Sequence, residues 1–215
     1  MAWTEATFRG DEAQINKLVS KMDALASMTN LGTKEDGFAD PQWVGYIAKY
    51  VLEKEDYNED RRNNWIKYYT TDDNEEVIIT FESAWQAPHD LILEIADKFD
   101  LKAGYYTEEP GMCIYDVYDP YDVLNYHPAF ATSCSDCYIK SEVINAAGKQ
   151  EVVEECLDGE DTYGSIEELI RSSVGILLDL KPGMSPVEVL AAAKKYNREH
   201  DGNSFCGVYE FDYMP

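Results

Sequence analysis

Positive charge is what this 215-residue chain has least of: 18 Lys and Arg stand against 42 Asp and Glu, a formal net charge of −24 at pH 7. A surface of that sign repels phosphate backbones and anionic membranes, so neither direct nucleic-acid binding nor membrane association is expected. Long apolar runs are missing as well, and none approaches the roughly 20 residues of a bilayer span. The N-terminal MAWTEATFRGDEAQ has no basic stretch leading into an apolar one, so no secretory signal is expected and the cytoplasm is the default location. Cysteine is sparse: the five, at positions 113, 134, 137, 156 and 206, form an odd set without the density of a disulfide scaffold, which fits a reducing compartment. Neither Gly-x-Gly-x-x-Gly nor a phosphate-loop motif occurs, there is no obvious internal repeat, and no cofactor is expected. What the chain does have is 45% hydrophobic and 13% aromatic residues. That is too much for disorder and enough, at this length, to fill a core without disulfides or metal.

Residues 2–9 alternate as a strand does, and Gly10 and Asp11 open a run in which Ile15, Leu18, Val19, Met22 and Leu25 recur at helical spacing. The stretch 29–40 has the composition of a loop, but Asp40 can cap a helix with Pro41 at its first position and Trp43, Val44, Ile47 and Val51 on one face. A charged, solvated run is expected at 53–64. Beyond it, 65–69 and 77–81 flank the turn-like TTDDNEE as a hairpin. Pro88 starts a second helix with Leu91, Ile92, Ile95 and Phe99 as its buried stripe, and 103–107 returns as a strand. The order is βαββαβ. With both helices on one face of an antiparallel sheet, this is the ferredoxin-like arrangement, an α+β fold.

A further strand is expected at 111–118, irregular chain at 119–137, and a second hairpin from 138–145 and 151–157 around AAGKQ. Ser165 with Glu168, and Ser185 with Pro186 and Glu188, have the capping-box spacing that starts a helix. Asp201 and Gly202 end the second of these helices, and 205–211 closes the chain as a strand with Phe205, Tyr209 and Phe211 on one face. The expected organisation is a ferredoxin-like unit over 1–118, with a helical insertion at 29–60, and an α+β extension over 119–215. No Gly/Ser/Pro-rich linker separates them, so the extension is expected to pack on the first unit.

Three segments carry a resemblance. They are Trp3-Thr4-Glu5-Ala6-Thr7-Phe8-Arg9-Gly10-Asp11, then Asn64-Trp65-Ile66-Lys67-Tyr68, then Phe81-Glu82-Ser83-Ala84-Trp85-Gln86-Ala87-Pro88, with Tyr105 and Glu108 after the second helix. Together they resemble the opening, the hairpin and the helix approach of the YubB-type ferredoxin-like family of phages and conjugative plasmids. The resemblance spans residues 1–118 and departs from the family pattern at Ile66, Tyr68, Ser83 and Ala87. It implies a fold and a mobile-element setting, and it supplies no catalytic residue.

Local composition offers one unusual feature, a Tyr-Asp pair repeated every three residues in Tyr115-Asp116-Val117-Tyr118-Asp119-Pro120-Tyr121-Asp122. In an extended segment of about 3.1–3.4 Å per residue, such carboxylates stand roughly 10 Å apart beside their tyrosines. That is either an exposed acidic ridge or a loop whose tyrosines cover the core. Glu108, Glu109, Tyr115, Asp116, Tyr118, Asp119, Tyr121 and Asp122 are therefore the candidate partner-binding residues. Calcium is not expected there, because the tight alternation and glycine turn of a calcium loop are missing. From 101 to 170 the chain has three Lys and Arg against fifteen Asp and Glu. An ordered array of carboxylates can imitate nucleic-acid phosphates and occupy the basic groove of a protein that binds them.

Cys134-Ser135-Asp136-Cys137 offers two zinc ligands, but His127, Cys113 and Cys156 supply no second ordered pair, so no metal is expected. A thioredoxin-type pair would sit between a strand and a helix, not before a hairpin. His89, His127 and His200 belong to no triad, and His200 suits the negative end of a helix dipole. Trp65 and Trp85 are expected in the core. These features point to a non-enzymatic protein of a mobile element that binds a host nucleic-acid-handling protein of the restriction or CRISPR type by mimicking DNA. The rivals are an enzyme with a site near His127, Cys134 and Cys137, and a self-assembling module. Composition leaves the oligomeric state open.

Overall fold

The computed structural model describes residues 1–28, 42–55, 63–71, 75–144, 149–200 and 204–214, with backbone alone at 141–144 and 150. The helix start expected at Asp40 and Pro41, the whole loop at 29–40, the charged run at 56–62, the turn residues 72–74 and 145–148, and the stop at Asp201 and Gly202 lie outside these. In chain order the elements are β1 (Ala2–Arg9), α1 (Glu12–Ala26), α2 (Val44–Tyr46) continuing as a π-helical stretch (Ile47–Val51), β2 (Asn64–Thr70) and β3 (Glu76–Ser83). They continue as α3 (His89–Phe99), β4 (Lys102–Glu109), β5 (Ile114–Tyr118), β6 (Phe130–Ile144), β7 (Gln150–Tyr163), α4 (Ile166–Arg171), α5 (Ser173–Leu177), α6 (Pro186–Glu199), β8 (Phe205–Glu210) and β9 (Asp212–Met214). The chain forms two compact units, Met1–Asn125 with Asp212–Pro215, and Tyr126–Phe211.

In the first unit the strands lie in the order β2-β3-β1-β4-β5-β9. All neighbours are antiparallel except the β5–β9 pair. Period-two alternation puts Ala2, Thr4, Ala6 and Phe8 of β1 on one face, each fully buried. That face shares a single hydrophobic cluster with Ile15, Leu18, Met22 and Leu25 of α1 and Ile92, Ile95, Ala96 and Phe99 of α3. Asp11 starts α1 through a reciprocal cap in which its carboxylate accepts from Gln14 N at 2.9 Å and Gln14 Oε1 accepts from Asp11 N at 2.9 Å. Trp43, Tyr46, Ile47 and Val51 enter the same core, so the segment after α1 packs on the unit.

On the opposite face of this sheet, residues 119–125 fold back across β4. The close approach needs a glycine: a Cβ on Gly104 would stand 2.7 Å from Asp119 Oδ1 and 2.8 Å from Val123 Cγ2. Arg9 ties the same segment down, its Nε donating to Glu76 Oε1 at 2.6 Å and its Nη1 to the Asp122 carbonyl at 3.2 Å. Asn125 Nδ2 completes the arrangement on Glu76 Oε2 at 2.9 Å. Trp85 departs from expectation. It is 58% exposed with φ 76°, because Ser83 Oγ donates to the Gln86 carbonyl and closes a tight turn that carries the indole outward. Trp65 lies in the core.

The second unit has a three-stranded sheet, β7-β6-β8. Residues 130–137, expected to be irregular, belong to β6, and the hairpin is far longer than 138–157. Two causes hid it. A bulge between Cys134 and Cys137 breaks the alternation, and the pairing of Cys134 with Cys206 is remote in sequence. The helix starting at Ser165 is interrupted at Ser172, whose Oγ caps α5 by accepting from Gly175 N at 3.1 Å. Ser185 starts α6 through the expected capping box with Glu188. The closing strand is also broken, with Phe211 between β8 and β9 donating its N–H to Ala129 O at 3.0 Å.

Gly104→Ala is expected to lower the stability of the first unit by about 1–3 kcal/mol, since the added methyl must displace Asp119 and Val123. Chemical denaturation followed by tryptophan fluorescence measures it, and unchanged stability would show that the 119–125 segment does not depend on the approach.

Candidate functional site

The eight residues read from the sequence do not form one extended ridge. β5 ends at Tyr118, and the chain then turns at Asp119, whose carboxylate accepts from the backbone N–H groups of Val123 at 2.8 Å and Leu124 at 3.0 Å. Glu109 is buried with its Oε2 2.5 Å from the Met1 ammonium, and Tyr115 is buried within the sheet. Glu108 is half-buried opposite Trp3 and Tyr115 in the strand register. Tyr118 lies in an aromatic cluster. Only Tyr121, at 58% exposure, and Asp122 stand out into solvent. The period of three was legible, but a turn in the middle of the repeat uses one carboxylate as a backbone cap.

Around Tyr118 the structure builds an aromatic and acidic cluster that the sequence did not announce. Its ring stacks on Tyr105 with centroids 5.5 Å apart and meets His89 edge-on at 5.0 Å, while His89 Nδ1 lies 3.0 Å from Tyr105 OH. His89 arrives there from the first turn of α3 and Tyr105 from β4. Burial, then the carboxylate of Asp116, the phenol of Tyr118 and the carboxylate of Asp90, push the Tyr105 phenol above its ordinary range. It therefore stays neutral and serves as a hydrogen-bonding group, not as a base. Asp116 sits opposite Asp212 across the β5–β9 pair. Burial first, and Asp212 second, hold its carboxyl above the usual carboxylate range.

The exposed carboxylates gather instead on β7. This strand is an edge of the second sheet, and Glu151, Glu154, Glu155, Asp158, Glu160 and Asp161 are all exposed along it. Ten residue steps at about 3.3 Å make this row roughly 33 Å long. Between 151 and 168 there are eight Asp and Glu and no Lys or Arg. Lys140 on β6 stands 3.5 Å from Glu154. In the register Tyr138 pairs with Cys156 and Lys140 with Glu154, which places Tyr138, Val152, Glu154 and Cys156 on one face of the ribbon. Tyr138 is 52% and Val152 61% exposed, so apolar surface lies among the charges. Asp and Glu are poor strand formers, and the period-two signal was therefore weakest where the acidic array is.

Cys134 and Cys137 are joined by Cys206, a residue the sequence reading left aside. Cys134 Sγ lies 3.2 Å from Cys206 Sγ, and the Cys137 thiol donates to the Phe205 carbonyl at 3.0 Å. Among the described residues, the sulfurs of this trio do not all come within 4.8 Å of one another, and His127 forms no such group with Cys134 and Cys137. The thiols border a cleft of about 570 Å³ in the second unit through Cys134 alone, with Thr132, Leu157, Tyr163 and Val174 on its walls and Glu155, Asp158, Glu160, Asp161 and Glu168 around it. At the end of α6, His200 Nδ1 lies 2.9 Å from the Tyr196 carbonyl, and the two rings stack at 4.1 Å.

With this geometry described, comparison with known proteins gives one match. Residues 64–128 fit the family model of a ferredoxin-like domain in Api92-like protein, which covers β2 to β5. Over that region the chain is similar to a ferredoxin-like domain. No curated protein and no solved structure matches the chain. No helix among the described residues is long and apolar enough to cross a membrane.

The Asp116–Asp212 pair has a pH signature. A carboxyl raised above its unfolded value binds its proton more tightly in the folded chain, so stability is lowest where Asp116 is ionised and recovers as pH falls through the raised value. Asp116→Asn is expected to raise the melting temperature at about pH 7, with the gain disappearing below about pH 4. A lower melting temperature at neutral pH would show that the carboxylate is stabilising.

Proposed function

We propose that this chain is a non-enzymatic interaction protein of a phage, plasmid or related element, acting in the cytoplasm of a bacterial host. In this reading it occupies the basic groove of a host defence protein that handles nucleic acid, of the restriction or CRISPR type. The observation that carries it is β7, an edge strand with six exposed carboxylates in eleven residues and exposed Tyr138 and Val152 beside them. A basic groove built for phosphates offers such a ribbon long-range attraction and a negative array to neutralise, while the tyrosine and valine supply the desolvated centre that an interface needs. The partner-binding surface in this reading is the β6–β7 ribbon of the second unit instead of 108–122. The first unit is read as a complete βαββαβ module of the YubB type, extended at one edge by β5 and β9. Its sheet and caps consume most of the carboxylates first considered for binding.

The triple variant Glu154→Gln, Asp158→Asn, Glu160→Gln removes three charges and keeps side-chain size. A partner captured from host lysate should be displaced by added duplex DNA. It should bind the variant more weakly by roughly 0.5–1 kcal/mol per charge at low salt, with the difference shrinking as ionic strength passes about 0.15 M. Equal affinity and an equal salt slope for the two proteins would remove the mimicry reading. A molecular mass that grows with concentration in light scattering, and is lost in the variant, would assign the ribbon to self-assembly instead.

A further inference from the structure

The three buried thiols of the second unit have no part in that interaction, and their arrangement is chemically specific. Cys134 and Cys206 are direct register partners on the antiparallel strands β6 and β8, with sulfurs 3.2 Å apart. Directly opposed residues of such strands have Cα atoms about 4.5 or 5.5 Å apart, both inside the range that a disulfide bridges. Cys137 is the sequence neighbour that a Cys-x-x-Cys reading would pair with Cys134. Its thiol is engaged with the carbonyls of Phe205 at 3.0 Å and Ser135 at 3.6 Å and also hydrogen-bonds Cys134, but it is Cys206, not Cys137, that stands directly opposite Cys134 in the strand register. Of the three, Cys134 borders the cleft.

We propose that Cys134 and Cys206 form a peroxide-responsive thiol pair, in which a small neutral hydroperoxide entering the cleft converts them to a cross-strand disulfide. The Cys134 thiolate attacks one peroxide oxygen, forming an S–O bond as the O–O bond breaks, and the departing oxygen takes a proton from solvent and leaves as water or an alcohol. Cys206 sulfur then attacks the sulfenic sulfur, forming the S–S bond. The S–O bond breaks, and the hydroxyl leaves as water with the proton from Cys206. Two thiols are oxidised by two electrons in all, and one hydroperoxide is reduced.

The surroundings support each role. The hydrogen bond shared with Cys206, and a weaker one with Cys137, hold the Cys134 thiol below its ordinary value, against burial and the nearby charges of Asp161 and Asp158. The same bond, and burial, push the Cys206 thiol up, so it remains the proton-bearing partner. The carboxylates of Glu155, Asp158, Glu160 and Asp161 around the cleft repel anionic oxidants such as glutathione disulfide and leave a neutral peroxide unhindered. The bond would close a loop containing β7 and all three helices of the unit, which constrains the unfolded chain most when the loop is long.

The test uses the full chain with Cys113→Ser and Cys156→Ser, which remove the two exposed thiols. After treatment with hydrogen peroxide, the protein is alkylated in denaturant and mapped without reduction. The expected product is one intramolecular disulfide joining Cys134 to Cys206, reversed by dithiothreitol, with a melting temperature raised by about 5 °C or more. Glutathione disulfide should produce it roughly tenfold more slowly or worse. In Cys206→Ser the sulfenic acid of Cys134 should be trapped by a dione probe, and in Cys137→Ser the disulfide should still form. Full alkylation of all three thiols after peroxide, or a bond between Cys134 and Cys137, would overturn the proposal. If a Ser variant fails to fold, the disulfide map of the parent decides alone.

Discussion

The first unit depends on the double pairing of β1. This strand is paired with β3 over all eight of its residues and with β4 over seven, so its register fixes both neighbours at once. Slipping it by one residue would turn Ala6 and Phe8 outward and drive Glu5 and Arg9 into the helical core. Arg9 makes the correct register specific as well as favourable. Only when it faces away from α1 and α3 can it reach Glu76 and the 119–125 segment that crosses that face. Burying Phe8, Phe81 and their neighbours contributes about 1.5–3 kcal/mol per large side chain, and a register error would forfeit this along the whole sheet.

β6 has the corresponding place in the second unit, between β7 and β8, but its bulge at Ser135 and Asp136 divides it in two. On the N-terminal side β6 pairs with both neighbours, and this is where Cys134 and Cys206 meet. Beyond the bulge only β7 accompanies it, as a two-stranded ribbon. Ribbons of that kind are marginal alone and are held by the sheet from which they project. The bulge, with Asp136 at φ 52°, thus divides the acidic strand as well, with Glu151, Glu154 and Glu155 on the ribbon and Glu160 and Asp161 beside the three-stranded sheet.

Legibility in the sequence followed local chemistry. The helix starts at Ser165 and Ser185, the opening of α1 at Gly10 and Asp11, the stripes of α1 and α3, and the β2–β3 hairpin were all legible, because each is decided within a few residues by period or by an orphan N–H group. The extent of β6 and β7 was not. β7 is exposed on both faces, so alternation carried no information, and Asp, Glu and Gly oppose strand propensity. The site was legible as composition but not as position: the excess of charge between 101 and 170 was plain. Asp119 capping a turn, Glu109 meeting the Met1 ammonium and Asp116 facing Asp212 are tertiary facts with no sequence signal. The Cys134–Cys206 pair is hidden for the same reason, since its members are 72 residues apart.

Charge on β7 also has a purely protective role available, since carboxylates on an edge strand discourage pairing with another chain. The two roles differ in what they require. Protection needs one or two charges and gains nothing from exposed apolar side chains, whereas this strand has six carboxylates and leaves Val152, Val153 and Tyr138 in solvent among them. Elsewhere the chain spends its carboxylates on internal tasks: Glu53 is held low by Lys21 and Lys98, Glu76 receives Arg9, and Glu94 receives Lys54. Within 151–168 the sequence itself has no cation, and although Lys140 of β6 stands 3.5 Å from Glu154, acidic residues far outnumber basic ones along the strand, a repulsion that folding must overcome. A positively charged groove would relieve it on contact, and the repulsion within the free ribbon would then add to the drive for binding.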